Sequence, residues 1–159
     1  MAMQSQVYSS CCVGVAGDMA TPDQSIYQAV NYTAGGTMTV GNFAFADSTY
    51  PATVAKAGGS ALLGIVQRNL SYPNYTVTDA GSLQVTSGAT VTIATKGDYW
   101  VQVTSGTSAT VGQKAFANST TGAITTGSAS ASVSGFVETP WKVKQVADGG
   151  MVLISNWDN

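Results

Sequence analysis

The sequence contains no histidine, only one glutamate (Glu138) and two cysteines, which are adjacent at Cys11 and Cys12. General acid–base chemistry near neutral pH depends mostly on histidine and on carboxylates with shifted pKa values. The aspartates are scattered along the chain, so no local acidic cluster of the calcium-binding kind exists. Two thiols without histidine supply at most half of a zinc site. We therefore expect a protein that is not an enzyme, with no catalytic residues, no cofactor and no metal.

Charge is also scarce, at 9% of residues with a net charge of −2, against a usual charged share of roughly 25%. A weakly charged surface promotes association between molecules. The few lysines and arginines form no basic stripe of the kind that binds nucleic acid. No apolar run approaches the roughly 18 residues that a membrane span needs. No signal-peptide pattern is visible, so we expect synthesis in the cytoplasm and a place in an assembly, without nucleic-acid or membrane partners.

Short segments of strand-like alternation fill the chain after Gly35-Gly36. Phe43 and Phe45 alternate with small residues, and Val91 and Ile93 alternate with threonines, as in half-buried strands. We predict strands at residues 37–47, 61–69, 82–88, 89–97, 98–103, 113–117, 123–126, 133–137, 141–146 and 151–155. The spacing of glycine-containing turns is typical of sandwiches and barrels. The sequence therefore predicts a mainly β fold, a small antiparallel β-barrel or sandwich with an extended N-terminal arm.

Two local features of this β pattern carry separate predictions. Lys96-Gly97 separates two adjacent strand-like segments and is expected to form a hairpin turn. Trp100 stands in one of those segments between apolar neighbours, so we expect its side chain to be buried in the core.

Residues 1–35 lack useful strand alternation and are expected to form an N-terminal arm that docks on neighbouring subunits, whereas residues 36–159 form the body. A short helix is possible over Thr21–Val30, with Pro22 at its first position. An arm of 34 residues could extend on the order of 110 Å. Deletion of the residues before Gly35 is expected to leave the body folded and to weaken binding to the assembly.

Aromatic residues at the edges of the pattern are the candidate interface residues. An arm without a core of its own must dock its tyrosines elsewhere or leave them exposed, and aromatic side chains often anchor interfaces. Trp141 follows a proline, and Trp157 lies close to the end of the sequence. The candidate capsid or subunit interface residues are Tyr8, Tyr27, Tyr32, Trp141 and Trp157.

Six motifs of glycines and strand-like segments extend over almost the whole chain. In order they are VGVAGDMAT (13–21), GNFAFAD (41–47), GGSALLGIVQRN (58–69), GSLQVTSGATVTIATKGDYWVQV (81–103), VGQKAFANSTTGAITT (111–126) and GGMVLISNW (149–157). Together they resemble the structural cement, or capsid decoration, proteins of tailed bacteriophages. The segment VETPWKVKQVAD (137–148) is more charged than a typical closing strand of that family.

The resemblance implies a virion structural protein that binds the outer surface of an assembled phage capsid and stabilises it. Its implied partners are the major capsid protein and further copies of itself, as a homotrimer in preference to a homodimer. The implied location is the outer capsid surface of the virion, after synthesis in the host cytoplasm. The alternative hypothesis is a phage adhesive or carbohydrate-binding β module, such as a fibre domain, in which tyrosines and tryptophans form a sugar-binding platform.

Overall fold

In the computed structural model, which describes residues 14–20, 28–69, 71, 75–78 and 82–157, thirteen strands account for nearly all regular structure. Numbered along the chain, they are β1 (Gln28–Ala34), β2 (Met38–Thr39), β3 (Phe43–Ala46), β4 (Val54–Lys56), β5 (Leu62–Val66), β6 (Tyr75–Val77), β7 (Leu83–Val85), β8 (Thr90–Lys96), β9 (Asp98–Gln102), β10 (Lys114–Asn118), β11 (Ile124–Gly127), β12 (Phe136–Val146) and β13 (Met151–Ser155). A short 3-10 turn, Asp148–Gly150, connects the last two strands. The prediction of a mainly β fold is confirmed.

Five of these strands close into a barrel in the order β1-β4-β3-β5-β8, with β8 pairing back onto β1. The β1–β4 pair is parallel, and the other four pairs of the barrel are antiparallel. Closure pairs every strand on both sides, which removes the unpaired edges that invite aggregation. A three-stranded sheet, β2-β7-β6, adjoins this barrel.

The remaining five strands form a second, antiparallel sheet in the order β11-β10-β12-β13-β9. Its two outer strands approach each other, because Val103, directly after β9, forms a parallel bridge with Ile124 of β11. The side chain of Thr104 also donates a 2.8 Å hydrogen bond to the Ile124 carbonyl oxygen. The second sheet therefore curls towards closure, with most of its backbone groups paired.

The core is divided into two clusters by the barrel wall. Ala44 and Ile93 belong to the cluster inside the barrel, whereas Phe43, Phe45 and Ile65 belong to the cluster shared with the second sheet. This arrangement follows from strand geometry, because successive side chains point to opposite faces. The alternation of phenylalanine with alanine in β3 thus places the large rings between the two sheets. Trp100 is buried as predicted, with 6% of its surface exposed.

Two local predictions are wrong within the described residues. Lys96-Gly97 is not a hairpin turn, since β8 pairs with β1 and β5 while β9 pairs with β13. It is a corner between the barrel and the second sheet, where the amide of Gly97 donates to the side chain of Asn156 at 3.0 Å. The helix considered for Thr21–Val30 is contradicted at residues 28–30, which belong to β1. Residues 21–27 lie outside the described residues.

The stretch predicted as an arm, residues 1–35, includes one strand of the barrel. Val30, Tyr32 and Ala34 alternate with Asn31 and Thr33 in β1, but five residues are a short stretch, and Val30 is exposed despite its apolar side chain. Its strand character comes from its pairing with β8 and β4, which no short-range pattern specifies. Deletion of everything before Gly35 would therefore open the barrel, and a test of the arm has to leave β1 in place.

Residues 14–20, here named the strap, also lie within the predicted arm and connect the two sheets. The amide of Gly17 donates to the carbonyl oxygen of Trp100 at 2.8 Å, and the amide of Arg68 donates to the carbonyl oxygen of Gly17 at 2.9 Å. Met19 forms an antiparallel bridge with Tyr99. The strap thus pairs with the outer strand of the second sheet while holding the residues that follow β5. Docking of the arm on neighbouring subunits stays a prediction.

Candidate interaction surfaces

The predicted interface aromatics are not brought together by the fold. Tyr8 and Tyr27 lie outside the described residues. Tyr32 is half-buried on β1 and packs against the cluster inside the barrel. Trp157 has 38% of its surface exposed, with the Lys96 ammonium 4.6 Å from the centre of its ring. Of the described candidates, Trp157 is therefore the most exposed.

Trp141 is a core residue, and this corrects its selection as an interface anchor. Only 1% of its surface is exposed. Its ring makes edge-to-face contacts with Phe43 of the barrel and Tyr99 of the second sheet, at centroid distances of 6.3 and 6.0 Å. Although Trp141 follows Pro140, it lies in the middle of β12, with its side chain directed between the sheets. It stabilises the junction of the two sheets instead of contacting a partner.

A groove is present where the strap, the barrel and the second sheet meet; we call it the junction groove. It has a volume of about 600 Å³ and is lined on its apolar side by Val15, Val40, Leu83, Val103, Ile124 and Met151. None of its lining residues carries a charge. The volume falls within the range of about 300–1,000 Å³ that is typical of ligand sites. Sequence reasoning missed the groove because its walls come from segments that are far apart in the chain.

Several other apolar side chains are exposed one at a time over the described surface. The largest exposed fractions belong to Val77 (71%), Tyr50 (64%), Val111 (61%) and Val15 (55%). Single exposed apolar residues are ordinary on soluble proteins. Val15 differs from the others because it lies on the rim of the junction groove, next to half-buried Leu83 and Met151.

The best-defined electrostatic feature is the ion pair between Asp47 and Lys56 at the barrel end. The carboxylate of Asp47 also accepts backbone hydrogen bonds from Thr49 at 2.8 Å and Tyr50 at 2.9 Å. The hydrogen bond from Lys56, followed by those from the two amides, lowers the pKa of Asp47 from 3.8 to about 2. The pair holds the chain reversal between β3 and β4.

We expect this ion pair to make stability depend on pH in the acid range. Because the pKa of Asp47 is lower in the folded protein, its contribution is fully present above pH 3.8 and is lost as the pH falls towards 2. Thermal unfolding followed by circular dichroism should show a smaller loss of melting temperature from pH 4 to pH 2 for Asp47→Asn than for the original chain. Lys56→Gln keeps the turn hydrogen bonds and should give an intermediate loss. An unchanged acid dependence in Asp47→Asn would refute this assignment.

The described residues hold neither a metal-binding cluster nor a membrane-spanning helix. No three His, Cys, Asp or Glu side chains come together there as a metal-binding group. Among the described elements there is also no helix with the length and apolar character needed to cross a membrane. The features that remain are an uncharged groove, scattered exposed apolar side chains and a strap that ties two sheets together.

Comparison with known proteins gives the family. The sequence model of the XM1 gp53 minor capsid protein family matches residues 3–156. A solved structure, "The capsid of Myoviridae Phage XM1", contains a chain of similar fold, with a TM-score of 0.67 and 12% sequence identity over 98% of each chain. No curated protein matches the sequence. Because the family match extends over nearly the entire chain, the protein belongs to the XM1 gp53 minor capsid protein family of phage capsid structural proteins.

Proposed function

We propose that this protein is a cement protein, which binds the outer surface of the assembled phage capsid and stabilises it without catalysing a reaction. One observation carries the proposal: the minor capsid family match extends over residues 3–156, and so includes both sheets and the strap. The matched range thus includes all thirteen strands of the described body. The proposal includes synthesis in the host cytoplasm and assembly onto the exterior of the virion.

Stabilisation of this kind needs binding energy alone. A protein that binds the assembled shell and not the free capsid subunits stabilises the shell by mass action. At a free concentration a thousand times the dissociation constant, the effect is about 4 kcal/mol per site. Repetition over the many equivalent sites of a shell makes the total large. The partner in this proposal is the major capsid protein.

The proposal also includes self-association as a homotrimer, in preference to a homodimer, with the N-terminal arm docking on neighbouring subunits. Residues 14–20 form the strap on the body of their own copy, so they are not available to dock on a neighbouring subunit. Residues 1–13 precede the strap in this sequence, and fully extended they reach on the order of 45 Å. That distance is enough to cross part of an adjacent subunit, and tethering would then add avidity to each contact.

Deletion of residues 1–13 is expected to leave the body folded and to weaken decoration of capsids by at least about tenfold, or about 1.4 kcal/mol. The body should survive because the described hydrogen bonds of the strap begin at Val15. Binding would be titrated on purified particles that lack this chain, with occupancy counted by cryo-electron microscopy. Circular dichroism of the truncated chain controls for folding, and Ser134→Ala, at an exposed loop position, controls for unrelated surface changes.

The outcomes separate the parts of the proposal. Equal decoration by the truncated and full chains would remove the role of the arm. Failure of the full chain to bind particles would overturn the cement function itself. Glycan binding by the isolated protein, without affinity for capsids, would favour the alternative of an adhesive or carbohydrate-binding module.

A further inference from the structure

The junction groove has an uncharged lining that suits an uncharged peptide with both apolar and polar groups. Beside its apolar residues, the polar lining residues are Thr39, Asn42, Ser82, Gln102 and Thr104. Its floor is formed by nearly inaccessible side chains, including Val40 and Val103 at 4% exposure and Ile124 at 0%. Val15, with 55% of its surface exposed, forms part of the rim. A charged ligand would lose part of its hydration there without meeting an opposite charge, which is costly. Covering the apolar part of the groove with apolar side chains would remove that part from water.

The segment before the strap matches this composition. Residues 1–13 contain no charged side chain, and Met1, Met3, Val7 and Tyr8 supply apolar groups along their length. The segment joins the described structure at Gly14, which itself lines the junction groove. We propose that the junction groove of each copy receives residues from the 1–13 segment of a neighbouring copy. This inference rests on the proposed self-association and arm docking, and it names the acceptor site.

Exchange between copies fits the position of the segment better than insertion into the same copy. The last residue of the segment joins Gly14 on the wall of the groove. To enter the groove of its own copy, the segment would have to reverse direction. Of the residues that favour tight turns, residues 1–13 contain serine but no glycine, proline, asparagine or aspartate. An extended segment arriving from a neighbouring copy needs no such reversal.

The arrangement also closes by symmetry. The 1–13 segment joins the body beside the groove. Each copy can therefore donate one segment and accept another in a dimer or a ring. No groove is then left uncovered, and no segment is left without an acceptor. The same reciprocity applies to the trimer of the proposed function.

Disulfide trapping between two differently labelled full-length chains tests the exchange. Both chains carry Cys11→Ser and Cys12→Ser, which removes the native thiols. One chain carries Ser82→Cys, at an exposed position on the groove, and the other carries Ser5→Cys. After mixing and mild oxidation, exchange predicts a covalent heterodimer on a non-reducing gel. The matched control replaces Ser82→Cys with Ser134→Cys, which is exposed and does not line the groove.

We expect the groove pair to cross-link at least about tenfold faster than the control pair, because docking raises the effective concentration of the two thiols towards the millimolar range. Equal rates for both pairs would overturn the inference. A chain that carries Ser5→Cys and Ser82→Cys together tests the other occupant. If it forms an internal disulfide while the mixed pair forms no heterodimer, the groove takes the segment of its own copy and the exchange is refuted.

The same chains distinguish this inference from the proposed function. Decoration of capsids by a protein that shows no exchange would leave the cement function in place and remove the acceptor site. Exchange in a protein that fails to bind capsids would keep the acceptor site and refute the cement function. Binding to capsids would be measured on reduced samples, in which no disulfide joins the chains, so that the cross-link itself does not alter the result.

Discussion

Trp141→Ala is expected to lower the free energy of unfolding by about 3–5 kcal/mol, the usual cost of removing a buried tryptophan. The side chain is almost fully buried between the two sheets, and it contacts Phe43 on one side and Tyr99 on the other. Its loss would leave a cavity at the junction and remove both edge-to-face contacts, whose geometry is favourable at these distances. For a protein of this size the melting temperature should fall by roughly 6–20 °C. Urea unfolding followed by circular dichroism would measure the change.

Trp157→Ala is the matched control, because it removes the same side chain from an exposed position. The contact with the Lys96 ammonium is worth about 0.5–1 kcal/mol at an exposed site, so the control should cost no more than about that amount. If the two variants lost equal stability, Trp141 would not be the residue that joins the sheets. If only Trp157→Ala lowered the free energy of unfolding by several kcal/mol, Trp157 and not Trp141 would make the more stabilising apolar contacts.

Gly122→Ala is expected to cost about 2–5 kcal/mol, combining overpacking with an unfavourable backbone conformation. Gly122 has a φ of +70°, and its carbonyl oxygen accepts a 2.9 Å hydrogen bond from the amide of Phe43. A methyl group added at this position would collide with the Phe43 carbonyl oxygen and approach that of Ala57 to 2.9 Å. The substitution would therefore push the β10–β11 connection away from the barrel. Chemical unfolding would measure the loss.

Gly106→Ala isolates the effect of backbone conformation. Gly106 has a φ of +84°, and an added methyl group would meet no atom within 4 Å. This control should cost about 1–2 kcal/mol, the penalty for a left-handed conformation alone. The difference between the two variants then measures the close approach of the second sheet to β3. Equal losses would mean that the backbone at Gly122 can move away without cost.

The proposed cement function sets different demands on the two parts of the molecule. A body that stabilises a shell has to stay rigid, which the closed barrel, the curled second sheet and the strap provide. A segment that contacts neighbours has to reach beyond the body, and residues 1–13 are the part of the predicted arm that precedes the strap. The two predictions above test the body, whereas the truncation and the cross-linking test the segment.

Strand alternation was readable in the sequence wherever one face of a strand is buried. Phe43, Phe45, Val91 and Ile93 were assigned to buried faces, and all four are buried at 2% exposure or less. Sequence reasoning missed β1, where the alternation of Val30, Tyr32 and Ala34 with polar residues is only five residues long, and the short strands β4 and β6. β4 and β6 have three residues each; β7 is equally short, but it was predicted as part of the longer segment 82–88.

The candidate interface was less accessible to sequence reasoning. Trp141 was selected for the proline before it, yet its environment depends on Phe43 and Tyr99, which lie far from it in the chain. The junction groove has no sequence signature, since Val15, Leu83 and Met151 are brought together only when the strap closes over the barrel. A lining of ordinary aliphatic residues gives no chemical signal of a site.

The sequence by itself determined the class of molecule: scarce charge, absent histidine and period-two alternation predict a β protein suited to an assembly. Those properties are local or compositional, so they can be read without knowledge of pairing. Only the tertiary structure decided that β1 belongs to the barrel, that Lys96-Gly97 is a corner and that Trp141 is core. Each of these depends on which distant strands pair, because a strand's partner is fixed by contacts over the whole chain and not by its own residues.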